Sequence, residues 1–126
     1  MTTGEPRGRT AVEQDVDSLP IDKERIRHTL MRVRNSRLQR ADALTLAELE
    51  QMLRGHIGLL LLDVREAVDR LWRGSTDWNG RATRLDLIEH QLRHGLGRGP
   101  LADQIQVRTL AHDCEWLLTE HEEAQR

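Results

Sequence analysis

Leu53–Leu71 reads LRGHIGLLLLDVREAVDRL, and the fold depends on what this stretch becomes. Its centre is almost apolar enough for a membrane. Yet it carries Gly55, Gly58, His56 and Asp63. A membrane span, a strand, a core helix and part of a catalytic site are the competing readings. Length removes the first: the unbroken apolar or glycine run is Ile57–Leu62, whereas a spanning helix needs about 20 such residues. Periodicity removes the second. At about 100° per residue, Leu46, Leu49, Leu53, Ile57, Leu60, Val64, Ala67, Val68 and Leu71 fall in one stripe, the pattern of a long amphipathic helix and not the two-residue alternation of a strand.

Outward from that helix the pattern repeats. Thr45 and Glu48 stand in the T-x-x-E spacing of a capping box, which places a helix start near residue 45. Gly74 marks the stop. Upstream, Ile26, Leu30 and Val33 make a narrow helical stripe, with Asp22 as the expected N-cap. Downstream, STDWNG reads as a turn, and Ala82, Leu85, Ile88, Leu92 and Leu96 make a third stripe. GLGRGP interrupts it, and Pro100 suits the first position of a further helix. Val107, Leu110, Ala111, Cys114, Leu117 and Leu118 make the fourth stripe. The fold expected is all-α, an antiparallel bundle of about four helices over 21–38, 45–73, 80–95 and 100–121. Residues 1–19 are polar and aperiodic and read as a disordered tail, leaving 20–126 as a single helical-bundle domain.

Composition narrows the function. A chain of 126 residues with net charge −2 has no overall field that would draw nucleic acid or an anionic membrane. It has no Tyr and no Phe, only Trp72, Trp78 and Trp116, so stacking platforms for bases are scarce. Cys114 is the sole cysteine; it fits a reducing, cytoplasmic setting and, on a core stripe, reads as packing rather than as a nucleophile. The first twenty residues lack the apolar core of a secretory signal.

Four sets of residues are candidates for chemistry or contact. His90 and His94 have a spacing that places two imidazoles on one helix face, as in some zinc sites. They point away from the Leu85/Ile88/Leu92 stripe, and no third ligand is fixed near them, so no metal and no cofactor is expected. His56 and Asp63, seven apart, share one edge of the long helix and are the weak candidates for a proton-transfer couple; the plainer reading is a boundary histidine tied to a neighbouring polar group. The Arg-rich first helix (Arg25, Arg27, Arg32, Arg34, Arg37) spreads its charge around the helix and does not gather it on one face. It reads as a solvated or docking face, with the acidic Glu115–Glu123 stretch as an electrostatic partner, and nucleic acid is not the expected ligand. The last set is Gly55, Gly58, Leu59 and Leu62. They lie off the main stripe and within about 100° of one another, as a second apolar face on which another helix can approach closely. That helix is either the first helix of this chain or one from another protein, a second copy included.

The order IDKERIRHTL, LRGHIGLLLLDVREAVDRL, RLDLIEHQL, LGRGP, VRTLAHDCEWLLTEHE resembles a family of small actinobacterial proteins of unknown function, labelled natural product biosynthesis proteins. The resemblance covers about residues 21–122. Leu53-Arg54-Gly55-His56 leading into the leucine run is its most specific part. Leu62 stands where relatives are expected to carry proline, which implies a straighter helix here. The resemblance implies an association with specialised metabolism and brings no catalytic residues. The function expected is therefore a non-catalytic accessory or regulatory protein acting through protein contacts. A small biosynthetic enzyme or ligand carrier with a bundle cavity is the alternative, and a nucleic-acid-associated regulator the second alternative.

Overall fold

A computed structural model of the chain describes residues 21–126, and the tail expected over residues 1–19 lies outside the described residues. Among the described residues the regular structure is entirely helical: α1 (Lys23–Asn35), a short 3-10 turn at Leu38–Arg40, α2 (Ala43–Asp69), α3 (Thr76–Gln91) and α4 (Pro100–Ala124). The all-α bundle expected from the stripes is the fold found.

Local chemistry fixes the helix starts. Asp22 caps α1 by accepting from the Arg25 N–H at 3.1 Å. At α2 the cap is Asp42, not Thr45. Its carboxylate accepts from the Thr45 N–H at 2.8 Å, so the helix begins two residues before the expected start. Those hydrogen bonds hold the Asp42 carboxyl below its ordinary pKa. Glu48, the other half of the expected capping box, instead pairs with Arg32 of α1 at 2.9 Å. Ser75 caps α3 by accepting from the Trp78 N–H at 3.0 Å, which draws most of the expected STDWNG turn into the helix. α2 ends at Asp69, and Gly74 takes its positive φ of 96° in the connection that follows. Gly99 (φ 119°) precedes Pro100 at the start of α4, the place where proline's missing N–H costs nothing.

Neighbours in sequence run antiparallel, as the cross-helix pairs show. Arg32 of α1 meets Glu48 while Thr29 meets His56; Arg65 of α2 meets Asp86 and Glu89 of α3, while Arg54 reaches the far end of α3 at Leu92. The most extensive packing, however, joins α2 to α4, and these two run parallel, with Asp63 near the end of α2 beside His121 near the end of α4. Alternating directions make this unavoidable, because helices two apart in the chain point the same way. α1 and α3 then lie along opposite edges of the α2–α4 pair.

One core fills the space between them. Leu46, Leu49, Leu53, Ile57, Leu60, Val64 and Val68 of α2 interlock with Val107, Leu110, Cys114, Leu117 and Leu118 of α4. Ile26 and Val33 of α1 and Leu85 and Ile88 of α3 close the two sides. All are buried. Each such side chain contributes roughly 1.5–3 kcal/mol through removal from water, which makes this stripe the principal source of stability. No described helix is long and apolar enough to cross a membrane.

Candidate functional site

The residues singled out as candidate chemistry occupy separate places. His56 is half-buried on the α1-facing edge of α2, and its Nε2 lies 2.9 Å from Thr29 Oγ1. Thr29 Oγ1 also lies 3.1 Å from the Arg25 carbonyl; when the hydroxyl donates there, its oxygen accepts from His56 Nε2–H. Burial, reinforced by the nearby Arg25 charge, pushes the His56 pKa below its ordinary value. Asp63 has a different partner: its Oδ2 accepts from Nδ1–H of His121 at 2.5 Å. His121 is buried on α4, and the Asp63 side chain is two-fifths exposed. His56 and Asp63 are thus not brought together. Each joins α2 to another helix.

The remaining polar side chains in the interior play the same joining role. Arg54 donates to Glu50 of its own helix (Nε, 2.6 Å) and to the carbonyls of Leu92 (2.6 Å) and His94 at the end of α3. A guanidinium there satisfies carbonyls that the helix end leaves free and sits at the negative end of the helix dipole. Asp113 of α4 is buried against Arg84 of α3 at 3.4 Å. Its carboxyl is raised by burial and only partly drawn back by Arg84. Arg84 also lies over the Trp116 ring, 5.1 Å from its centroid. Burial likewise pushes the Cys114 thiol up to about 12, which leaves almost no thiolate at neutral pH.

His90 is exposed on the last turn of α3, and His94 falls beyond the helix end. Their rings meet edge to face at 5.3 Å between centroids. The third group beside them is the Arg98 guanidinium, 3.4 Å from His94 Nδ1, and a second cation is the wrong neighbour for a metal ion. Among the described residues no group of three His, Cys, Asp or Glu side chains is placed to hold one. The Arg-rich helix is largely committed to acids: Arg27 pairs with Glu122, Arg34 with Glu115 at 3.2 Å, and Arg32 with Glu48.

The outer face of α2 is different in kind. Gly55 and Gly58 are exposed, and a Cβ built on either meets no atom within 4 Å. Leu62 is 62% exposed and Leu44, further back along the same face, is 79% exposed. Leu59 is half-buried on the edge nearer α1. α1 therefore does not cover the second apolar face: its contacts to α2 run through Glu48, Met52 and His56, along the adjacent edge. From Gly55 to Leu62 about two turns of helix surface are left with bare backbone and apolar side chains facing solvent, and exposed Glu48 and Gln51 separate them from Leu44.

The surface grooves lie elsewhere. One runs between α1 and α4 and is lined by Val33, Arg34, Leu38, Arg108, Ala111 and His112. Another lies at the far end of the bundle, among Val64, Val68, Leu71, Arg81 and Glu120. His56, Asp63 and His121 line neither.

Thr29, Glu50, Asp113 and His121 are the buried polar residues that sequence reasoning did not single out. For His121 a signal existed. It follows Leu117 and Leu118 by four and three positions and so continues the α4 stripe. The other three sit among core positions where only their partners explain them.

A family model described as "Family of unknown function (DUF6415)" matches residues 24–126. No curated protein and no solved structure matches the chain. The match spans all four helices, from the first turn of α1 to the end of α4, and the chain belongs to this family of unknown function.

Proposed function

We propose that this chain is a non-catalytic accessory or regulatory protein that acts through protein–protein contacts, with the outer face of α2 as its contact surface. The reading takes the described helices as one helical-bundle domain working in the cytoplasm. The observation that carries it is the contrast on α2 between satisfied and unsatisfied surface. The buried polar side chains His121, Asp113 and Glu50 are tied to partners within the fold. Gly55, Gly58, Leu44 and Leu62 have none. Two glycines inside a helix each cost about 1 kcal/mol relative to alanine, and nothing inside the chain requires the absence of a side chain at either position. Bare backbone at both positions suits a close approach from outside the chain.

Two further observations weigh against the alternatives. A ligand carrier or enzyme built on His56 and Asp63 needs a cavity beside them, and the space between the helices is filled by the core side chains. A nucleic-acid regulator needs free cations on one face, and Arg27, Arg32 and Arg34 are paired with carboxylates of α2 and α4. The resemblance to natural product biosynthesis proteins of actinobacteria supplies the setting: contacts with proteins of a biosynthetic system.

The test is capture from the native host with the full chain as bait, beside a Leu59→Glu/Leu62→Glu double variant. The variant is expected to fold as the parent does and to lose the captured proteins. Identical capture by both chains would remove this face from the proposal.

A further inference from the structure

α1 and α4 run antiparallel but differ in length, 13 residues against 25. Arg27 of α1 pairs with Glu122 and Arg34 with Glu115, so α1 is used up level with the middle of α4. The chain then turns away through Leu38–Arg40 to begin α2. The first half of α4 therefore has no α1 beside it. A single line of side chains stands on its uncovered side: Leu101, 69% exposed, Ile105, 52% exposed, then Arg108 and His112, both exposed. Steps of four, three and four residues keep all of them within about 60° of one another on the helix.

This line runs into the groove between α1 and α4. The groove has a volume of about 260 Å³, and Leu30, Val33, Leu38 and Ala111 give it an apolar floor. Enclosed sites for small molecules run to roughly 300–1,000 Å³, so an open groove of this size suits a few side chains and not a whole ligand. Its rim is cationic. Arg34 and Arg108 line it, and Arg37 stands exposed between the lining residues Ser36 and Leu38. Neither Arg37 nor Arg108 forms an ion pair with an acid among the described residues, whereas Arg27, Arg32 and Arg34 each do. Glu115 is the one carboxylate among the described lining residues. Its bridge to Arg34 joins two side chains that are each more than half exposed, an arrangement that contributes little to stability and yields to a competing carboxylate.

An apolar floor under a cationic rim selects an occupant of the opposite arrangement. Acid alone leaves the floor wet, and an apolar chain alone leaves Arg37 and Arg108 unanswered. Nucleic acid would use the cations but not Leu101 and Ile105, and the groove is lined by no Trp on which a base could stack. From Leu101 to Glu115 the surface is about 21 Å long at 1.5 Å per residue, the reach of about six residues of extended peptide.

We propose that the α1–α4 groove and the Leu101–His112 line form a docking site for a short acidic segment of another protein, with its apolar side chains on Leu30, Ala111, Leu101 and Ile105 and its carboxylates on Arg37 and Arg108. This surface stands apart from the outer face of α2 and does not rest on the reading of that face.

Fluorescence anisotropy with the full-length chain tests it. The probe is a labelled peptide of alternating Glu-Glu and Leu-Leu pairs. One control carries Ser-Ser in place of each Leu-Leu, a second carries Lys-Lys in place of each Glu-Glu, and a third is a labelled DNA duplex of mixed sequence. The parent is expected to bind the probe saturably and at least tenfold more tightly than any control. Arg108→Glu should weaken that binding at least tenfold and Ile105→Ser at least threefold. Both side chains are exposed, so the helical circular dichroism should be unchanged. Leu59→Glu/Leu62→Glu, on the outer face of α2, should bind the probe as the parent does.

A parent chain that does not bind the probe overturns the inference. Equal binding of the serine peptide does so too, because it reduces the contact to charge alone, and tighter binding of the duplex makes the face a nucleic-acid surface instead. Binding indifferent to both Arg108→Glu and Ile105→Ser, or lost in Leu59→Glu/Leu62→Glu, places the peptide elsewhere on the molecule. Binding that emerges only in an Asp15→Asn/Asp17→Asn chain overturns the outside partner and assigns the groove to an acidic segment of this chain itself.

Discussion

The two faces of α2 are built from the same amino acid and have opposite fates. Leu46, Leu49, Leu53 and Leu60 are buried against α4 and its neighbours, while Leu44 and Leu62 stand in solvent. Composition cannot tell the two sets apart. What separates them is the angular spacing, and beyond it the polar residues that mark the edges: His56 on the α1 side, Arg54 and Arg65 on the α3 side, and Asp63 beside α4. The inner leucines stabilise the chain. The outer ones, with Gly55 and Gly58 between them, contribute nothing within it. Surface retained at a cost to the isolated fold points outward.

The comparison can be broken at its strongest point first. Leu53→Ala on the inner face is expected to cost about 2–5 kcal/mol, the range for a cavity in a filled core, read as a lowered urea midpoint. Should that substitution be neutral, the inner stripe is not the core. Asp63→Ala comes next. It leaves the buried His121 Nδ1–H without its acceptor, and a loss of about 1–3 kcal/mol is expected. Gly58→Ala reverses the sign: dilute protein should gain about 1 kcal/mol, because the added methyl meets nothing. A destabilised Gly58→Ala monomer would mean that the outer face is covered from within. Leu62→Ser, the smallest effect, should change the monomer by less than about 0.5 kcal/mol. Its effect belongs in association, not in folding.

Acid adds one further comparison, between two edges of the bundle. His56 is depressed below its ordinary value of 6.5, so the folded state resists its protonation more than the unfolded chain does. Its contribution is fully present above that value and is lost as pH falls towards the folded pKa. The parent should therefore lose more stability between pH 7.5 and 5.5 than His56→Gln, whose amide can still donate to Thr29; equal losses would take His56 out of the account. Asp113 works in the opposite sense. Its raised carboxyl makes the folded state the better proton acceptor, so the cost of its buried charge is relieved on acidification.

The four apolar stripes, and with them the bundle, were legible from helical spacing alone, because burial on one face leaves its mark every third or fourth residue. Starts were less legible. Asp42 and Thr45 both suit an N-cap by residue type, and only the backbone geometry chose Asp42. The polar joints were hidden for a further reason. Whether His56 meets Asp63 or Thr29, and whether Asp63 meets His56 or His121, depends on how far one helix is shifted along another, and no single-helix pattern carries that information. The second apolar face was legible as leucines and glycines off the stripe. That it lies open, with α1 along the adjacent edge, required the packing of all four helices.

The parallel contact between α2 and α4 has a consequence for how the chain is made. During synthesis α2 emerges long before the helix that shelters it, since Asp63 waits 58 positions for His121. A nascent chain that stops short of Leu117 exposes the inner stripe and the outer face of α2 together, as one helix apolar on both sides. The closing of α4 over that intermediate is the event that shelters the inner stripe and leaves only the outer face of α2 open on this helix.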